Sequence, residues 1–326
     1  MRVPIFAAAF ALLLAAAANA QSVTRRIAVP DGGWDYVSFD VHSNRLFISR
    51  SDGVLTIDVG SGTVSSQFVA VARTHAALAL PGTALGAVTS TAAGGVVLFD
   101  ATTGAVKATV KTGPTPDAAI YSPVLRTLLV MDHSAGTVTM IDPVTATVTG
   151  TVAVGGALES AAVDRQGHLF VAVADRNEIA AIYLKSKTVM RRTKLAGCDE
   201  PGGLVLTKEG ILIASCANRA AKVIDAATGA PLADLVIGPG PDAVLYDAIR
   251  NRAYVPTAGD GKLTVIDTSA RVPRVLTTVT TQTGARTGAV DPQTGTVYVI
   301  AAKYEPAAGN ARPKAIPSSV EVLAIE

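Results

Sequence analysis

A short apolar strand ending in Ile-Asp, or a close equivalent, returns along this chain at nearly constant intervals, and this period limits the fold more than any other feature. It occurs as Leu55-Thr56-Ile57-Asp58, Val97-Leu98-Phe99-Asp100, Thr139-Met140-Ile141-Asp142, Ala181-Ile182-Tyr183, Val223-Ile224-Asp225, Thr264-Val265-Ile266-Asp267 and Val322-Leu323-Ala324. The final residues, at 58, 100, 142, 183, 225, 267 and 324, are spaced 42, 42, 41, 42, 42 and 57. Within each of the seven units, turn signals such as Gly60-Ser61-Gly62, Thr103-Gly104, Thr228-Gly229 and Asp291-Pro292 interrupt runs rich in Val, Ile, Leu and Thr. Such runs read as four short strands per unit. Four strands in a repeat of about 42 residues is the pattern of a propeller blade, so the expected fold is all-β, a seven-bladed β-propeller. Abundant Ala, Val and Gly suit sheets that approach closely, and explain why only 5% of residues are aromatic.

The two ends of the chain predict how the ring closes. Val23 to Val29 reads like the outermost strand of other units (Val64 to Val71, Val106 to Lys111, Val148 to Val154), yet it precedes the first innermost strand, Tyr36 to Val41. It is therefore assigned to the last blade, beside Val320 to Ile325, where it removes an exposed edge. Residues 1–20 are excluded from the fold. Met1-Arg2 is a positive n-region, Ile5 to Ala18 is apolar, and Ala18-Asn19-Ala20 is an A-x-A cleavage site. The expectation is a signal peptide cut after Ala20, a propeller domain over 21–326, and a periplasmic or secreted protein. The apolar run is too short to span a bilayer, and no later segment is a candidate span. The formal charge of +2, from 28 Lys+Arg against 26 Asp+Glu spread evenly, offers no basic stripe, so nucleic acid is not an expected partner.

These repeats resemble the YVTN-repeat, YncE-like family of bacterial secreted seven-bladed propellers across essentially the whole mature chain. The matching pieces are Trp34-Asp35-Tyr36, Pro116-Asp117-Ala118, Cys198-Asp199-Glu200-Pro201 with Ser215-Cys216-Ala217-Asn218, Gly284-Ala285-Arg286-Thr287 and Arg312-Pro313-Lys314. The resemblance implies a fold and an export route. It implies no general reaction; single-stranded DNA binding belongs to one branch, and no basic groove interleaved with aromatics is present here to carry it over.

Superposing the units locates the candidate chemistry. Counting 17 residues from 58, 100, 142, 183 and 225 gives His75, Asp117, Glu159, Glu200 and Asp242, with Asp35 aligned in the first unit and Arg286, after a two-residue insertion, in the last. Asp35, His75, Asp117, Glu159, Glu200, Asp242 and Arg286 are thus expected to ring the channel mouth. Five carboxylates and one guanidinium give a formal −4 at one narrow opening of a nearly neutral protein, where low-dielectric walls focus the field toward a cation or amine. The alternative is that these side chains cap strand starts and face a water-filled channel. His133, in a loop on the same face, joins His75 as a candidate metal ligand, which makes a divalent cation the candidate cofactor. His42 and His168 fall in turns on the opposite face.

Cys198 and Cys216 lie at one end of a single hairpin, which in an exported protein predicts a disulfide; a reactive or metal-bound thiol pair is the alternative. Lys303 to Ser319 is an insertion in the closing blade, either shading the mouth or forming a surface excursion. GxSxG, HExxH, Walker and GxGxxG templates are absent. The expected function is therefore binding of a small molecule, cation or protein partner at the acidic mouth. A lactonase-like hydrolase or lyase using the ring carboxylates and His75 is the alternative.

Overall fold

The computed structural model describes residues 21–306 and 314–326; the assigned signal peptide, and Arg312 and Pro313 of the motif that closes the resemblance, lie outside the described residues. Seven four-stranded antiparallel sheets follow one another, forming a seven-bladed propeller. The innermost strands are Trp34–Asp40, Thr74–Ala79, Pro116–Ser122, Leu158–Val163, Pro201–Leu206, Leu245–Asp247 and Gly288–Val290, in blades 1 to 7. In blade 3, Pro116–Ser122 is followed outward by Thr127–Asp132, Thr137–Asp142 and Thr147–Ala153, and the other complete units repeat this order.

Burial follows position in the blade. The two middle strands are packed between neighbouring sheets and are almost wholly buried, as in Arg45–Arg50 and Gly53–Asp58, while an outermost strand such as Thr147–Ala153 is largely exposed. The core is thus divided among the interfaces between blades: Leu129, Met131 and Val138 of blade 3 pack with Leu169, Val171 and Ala180 of blade 4. Near the axis the sheets are closest and side chains shrink accordingly. A Cβ on Gly203 would lie 2.5 Å from the backbone of Ala243 and Val244 in the next blade, so no larger residue fits there.

The recurrent Asp has a local cause. It ends the third strand, and its carboxylate accepts N–H bonds from the turn that follows: Asp58 from Ser61 at 2.8 Å, Asp100 from Thr102 and Thr103 at 3.1 and 3.0 Å, Asp142 from Val144 at 2.9 Å, and Asp225 from Thr228 at 2.9 Å. These are Asx turns. They hold the four carboxyls below the usual range, chiefly through the backbone N–H of Ser61, Thr103, Thr145 and Thr228 respectively. In the last blade the residue paired as Asp58 is paired would fall at Glu326 rather than Ala324, because Val297 faces Ile325 as Leu46 faces Ile57.

The closing blade is built from both ends of the chain. Val23–Ala28 pairs antiparallel with Glu321–Ile325, from Val23 opposite Ile325 to Ala28 opposite Glu321. Ile27 and Val29 are buried with Val320, Val322 and Ile300. At the base of the Lys303 to Ser319 insertion the two described flanks pair, with Glu305 N–H to Lys314 O at 2.9 Å and Ile316 N–H to Lys303 O at 2.8 Å, while residues 307–313 lie outside the described residues. Ser318 N–H reaches Asp31 Oδ2 at 2.7 Å, and Tyr304 lies against Gly284. The base of the insertion is therefore fixed on the ring face between the loops that lead to Asp35 and Arg286.

Cys198 and Cys216 form a disulfide with Cα atoms 5.3 Å apart. It ties the loop before Pro201–Leu206 to the end of Ile211–Cys216 in blade 5.

Two outcomes are expected. Deleting residues 21–30 strips the outer strand from blade 7 and unburies Ile27 and Val29, at about 1.5–3 kcal/mol for each side chain, so soluble yield or melting temperature should fall sharply; an unchanged melting curve would show that this strand does not close the ring. Replacing Cys198 and Cys216 by Ala should cost about 3 kcal/mol of stability without abolishing the fold, and thiol labelling of the denatured, unreduced wild-type protein should find nothing to label.

Candidate functional site

The register of the blades decides which residues reach the mouth. Trp34 faces Arg50, Thr74 faces Ser90, Pro116 faces Asp132 and Leu158 faces Val173. The next residues are Asp35, His75, Asp117 and Glu159, the second of each inner strand. The bridge from Pro241 to Thr257 places Asp242 equivalently. Gly288 facing Val299 matches Ala119 facing Val130, which places Arg286 in the same tier.

Glu200 is not in this tier. Pro201 faces Cys216 as Pro116 faces Asp132, so the ring position of blade 5 is Gly202. The run from Tyr183 to Gly202 is 19 residues, as is that from Asp267 to Arg286, where the runs from 58, 100, 142 and 225 are 17, so the loop before this strand is two residues longer and a fixed count falls short. Glu200 is exposed in that loop, at φ 46°, with its N–H bonded to Asn177 Oδ1 at 2.9 Å. A Cβ on Gly202 would stand 3.9 Å from Asp242 Oδ1, which confirms the tier and leaves a gap in it. The ring thus carries four carboxylates, not five, and a formal −3 with neutral histidine.

Hydroxyls from neighbouring strands hold the first three members by their carbonyls. Thr287 donates to Asp35 O at 2.9 Å, Ser49 donates to His75 O, and Thr89 donates to Asp117 O at 2.7 Å. His133 is fixed by its N–H to Thr115 O at 2.9 Å, directly after Asp132, whose buried carboxylate accepts from Gly113 N and from Thr139 Oγ1 at 2.8 and 2.6 Å.

These constraints bring five side chains into an arc. His75 Nδ1 lies 2.9 Å from Asp35 Oδ2 and 3.3 Å from Asp117 Oδ1, and His133 Nδ1 lies 3.1 Å from Glu159 Oε1. Asp35, His75 and Asp117 form one triad and Asp117, His133 and Glu159 a second, each with potential ligand atoms within 4.8 Å of one another. Both triads can chelate a divalent cation, and Asp117 belongs to both. Across the gap at Gly202, Asp242 Oδ2 pairs with Arg286 Nε at 2.9 Å.

Like charges this close alter one another. Burial first, and then Asp117, Asp242, Asp35 and, from its loop, Glu200, push the Glu159 carboxyl up to about 8. Burial and Asp35 raise Asp117 to about 6, against the pull of His75 and His133. Burial also raises Asp242, with Arg286 opposing. The hydrogen bond to Asp35, helped by Asp117, raises His75 against its own burial. Near neutral pH the ring therefore retains a proton on Glu159, which lowers its formal charge, and His75 is biased toward its protonated form.

Below the ring, inner-strand residues of six blades line a channel cavity of about 310 Å³. Tyr36 stands at its top. The residue one past the ring is Ala76, Ala118, Ser160, Gly203, Ala243 and Thr287 in the other blades, so Tyr36 is the single bulky side chain at that level. Its phenol is held well above the ordinary range by burial and then by Asp117, Glu159, Asp242 and Asp35. Counting 17 residues and reading only ring positions missed it; the same superposition one residue further on would have found it.

On the opposite face a larger cleft of about 980 Å³ lies between the turns of blades 4, 5 and 6. Its charges serve structure: Arg271 pairs with Asp225 at 2.6 Å, His168 with Asp164 at 2.7 Å, and Arg191 donates to the carbonyls of Ala226 and Ala227 at 2.7 Å.

No family model matches the chain, and no curated protein matches it. Solved structures do. A chain of Kuenenia stuttgartiensis hydrazine synthase superposes with a TM-score of 0.72 at 16% identity, covering 83% of this chain and 94% of that one. A chain of the mitotic checkpoint complex gives a TM-score of 0.76 at 12% identity, covering 99% and 98%. At these identities the likeness is one of fold.

Proposed function

We propose that this is an exported binding propeller of the YVTN-repeat, YncE-like kind, and that its occupant is a divalent cation held at the channel mouth by Asp35, His75, Asp117, His133 and Glu159. The observation that carries the reading is the pair of imidazole-carboxylate triads. Ligand atoms about 2.1 Å from a metal stand roughly 3.0 to 3.4 Å apart at adjacent positions; the separations of 3.3 and 3.1 Å at Asp117 and Glu159 fall in that range and the 2.9 Å between His75 and Asp35 lies just below it. Mixed nitrogen and oxygen donors suit a borderline transition metal such as zinc or manganese better than calcium. The disulfide supports export, since such bonds persist in oxidising compartments, and agrees with a signal peptide ending at Ala20. Partners that approach as cations, or as ligands carried by one, fit the same mouth.

The carboxylates gather at a cost that protons now offset, and a cation would replace those protons. The pH dependence follows. Glu159 titrates near 8 when folded and about 4.3 when unfolded, so over this interval the folded state binds more protons. Stability then falls as pH rises. Raised His75 acts in the same sense above about 6.5.

In chelator-treated protein the melting temperature should fall between pH 5 and pH 8, and Glu159→Gln should flatten the slope. Zinc at 100 times its Kd should restore about 5 °C at pH 8 and little at pH 5, where protons compete. The variant carrying both Asp117→Asn and Glu159→Gln should lose the zinc response, and Arg286→Ala should enhance it. A screen in which no divalent cation shifts wild type more than the neutralised variant at low ionic strength would leave the ring as a solvated channel mouth.

A further inference from the structure

Resting on the cation-binding reading above, we infer that the mouth holds two divalent cations, with Asp117 bridging them. The two imidazoles do not fall within one triad: His75 groups with Asp35 and Asp117, His133 with Asp117 and Glu159. Five donors so placed do not converge on a single ion. They serve two ions, each with one imidazole, one terminal carboxylate and a share of Asp117.

The bridge is available because a carboxylate has two oxygens. Oδ1 of Asp117 faces His75 at 3.3 Å, which leaves the other oxygen for the second ion, and a shared carboxylate is suited to metals about 3.5–4 Å apart. Most of the formal charge is also offset. Asp242 is neutralised by Arg286, and the ligand carboxylates Asp35, Asp117 and Glu159 supply −3, which offsets most of the +4 of two divalent ions and leaves +1 for an anionic ligand such as hydroxide.

An independent feature points into the same space. Tyr36, the one bulky side chain at its level, is half-buried and lines the channel beneath the arc. Two ions with three protein ligands each would keep coordination positions open for water or a ligand, above the channel that Tyr36 lines.

The test counts metals on the full mature chain. After chelator treatment, native mass spectrometry against zinc should find two ions in wild type, one in Asp35→Asn and one in Glu159→Gln. Asp117→Asn should lose both, or weaken both at least tenfold. In parallel, wild type loaded with manganese should show electron paramagnetic resonance of a spin-coupled pair, a readout that needs no variant; circular dichroism melting checks that each variant folds. One zinc per chain, or two uncoupled manganese ions, would overturn the bridge while leaving single-cation binding intact. No zinc at all would overturn both.

Discussion

A sheet with two apolar faces is stable only when both are covered, and in a propeller each blade is covered by the next. The arrangement therefore depends on the first blade meeting the seventh. Val23–Ala28 supplies that closure by pairing with Glu321–Ile325, so that the seventh blade has four strands and no edge of the ring is left open. Closure also aims the inner strands. Once seven sheets stand around one axis, the second residue of every inner strand must arrive at the same opening, whatever its chemistry. The scaffold converts a position in a repeat into a position in a ring, and the site is what the sequence writes there.

What it writes is unfavourable by itself. Four carboxylates near one axis repel, and burial adds to the penalty of ionising them. The protein lowers that penalty in two ways: it interposes His75 between Asp35 and Asp117, and it sets Arg286 against Asp242. Glu159 is left to keep a proton, with His133 beside it. Structural need alone does not explain this choice, because small neutral residues would pack the mouth at no electrostatic cost, as Gly202 does in blade 5.

The sequence revealed the period, the blade count and the closing strand because each has a local physical cause that leaves a mark on residue type. Asx turns demand Asp at the end of the third strand, as at Asp58, Asp100, Asp142, Asp225 and Asp267, and an outer strand exposed on its far edge reads differently from a buried middle one. Counting put His75, Asp117, Glu159 and Asp242 at one level of the repeat, and alignment put Asp35 and Arg286 there. Glu200 was misplaced because the loop after Thr188–Lys194 has two additional residues, pinned by the disulfide at Cys198, and loop length leaves no periodic trace. Tyr36 escaped for a different reason. A tyrosine in an inner strand is unremarkable in composition, and its meaning lies only in the small residues that replace it in the other blades.

Departures from sevenfold repetition are thus where this molecule is informative. His133 occupies a place held in other blades by Ser51, Thr91, Ala174, Ala217, Ala258 and Ala302, and Tyr36 a place held by Ala, Ser, Gly or Thr. Both lie with the arc from Asp35 to Glu159, on one side of the mouth. The opposite side has the gap at Gly202 and the Asp242–Arg286 pair. A symmetric ring of acids would attract cations without holding any of them in a defined place. Breaking the symmetry concentrates nitrogen donors and the phenol on one sector and leaves an opening beside it, so that an ion can be fixed by side chains on one flank and approached by a ligand from the other.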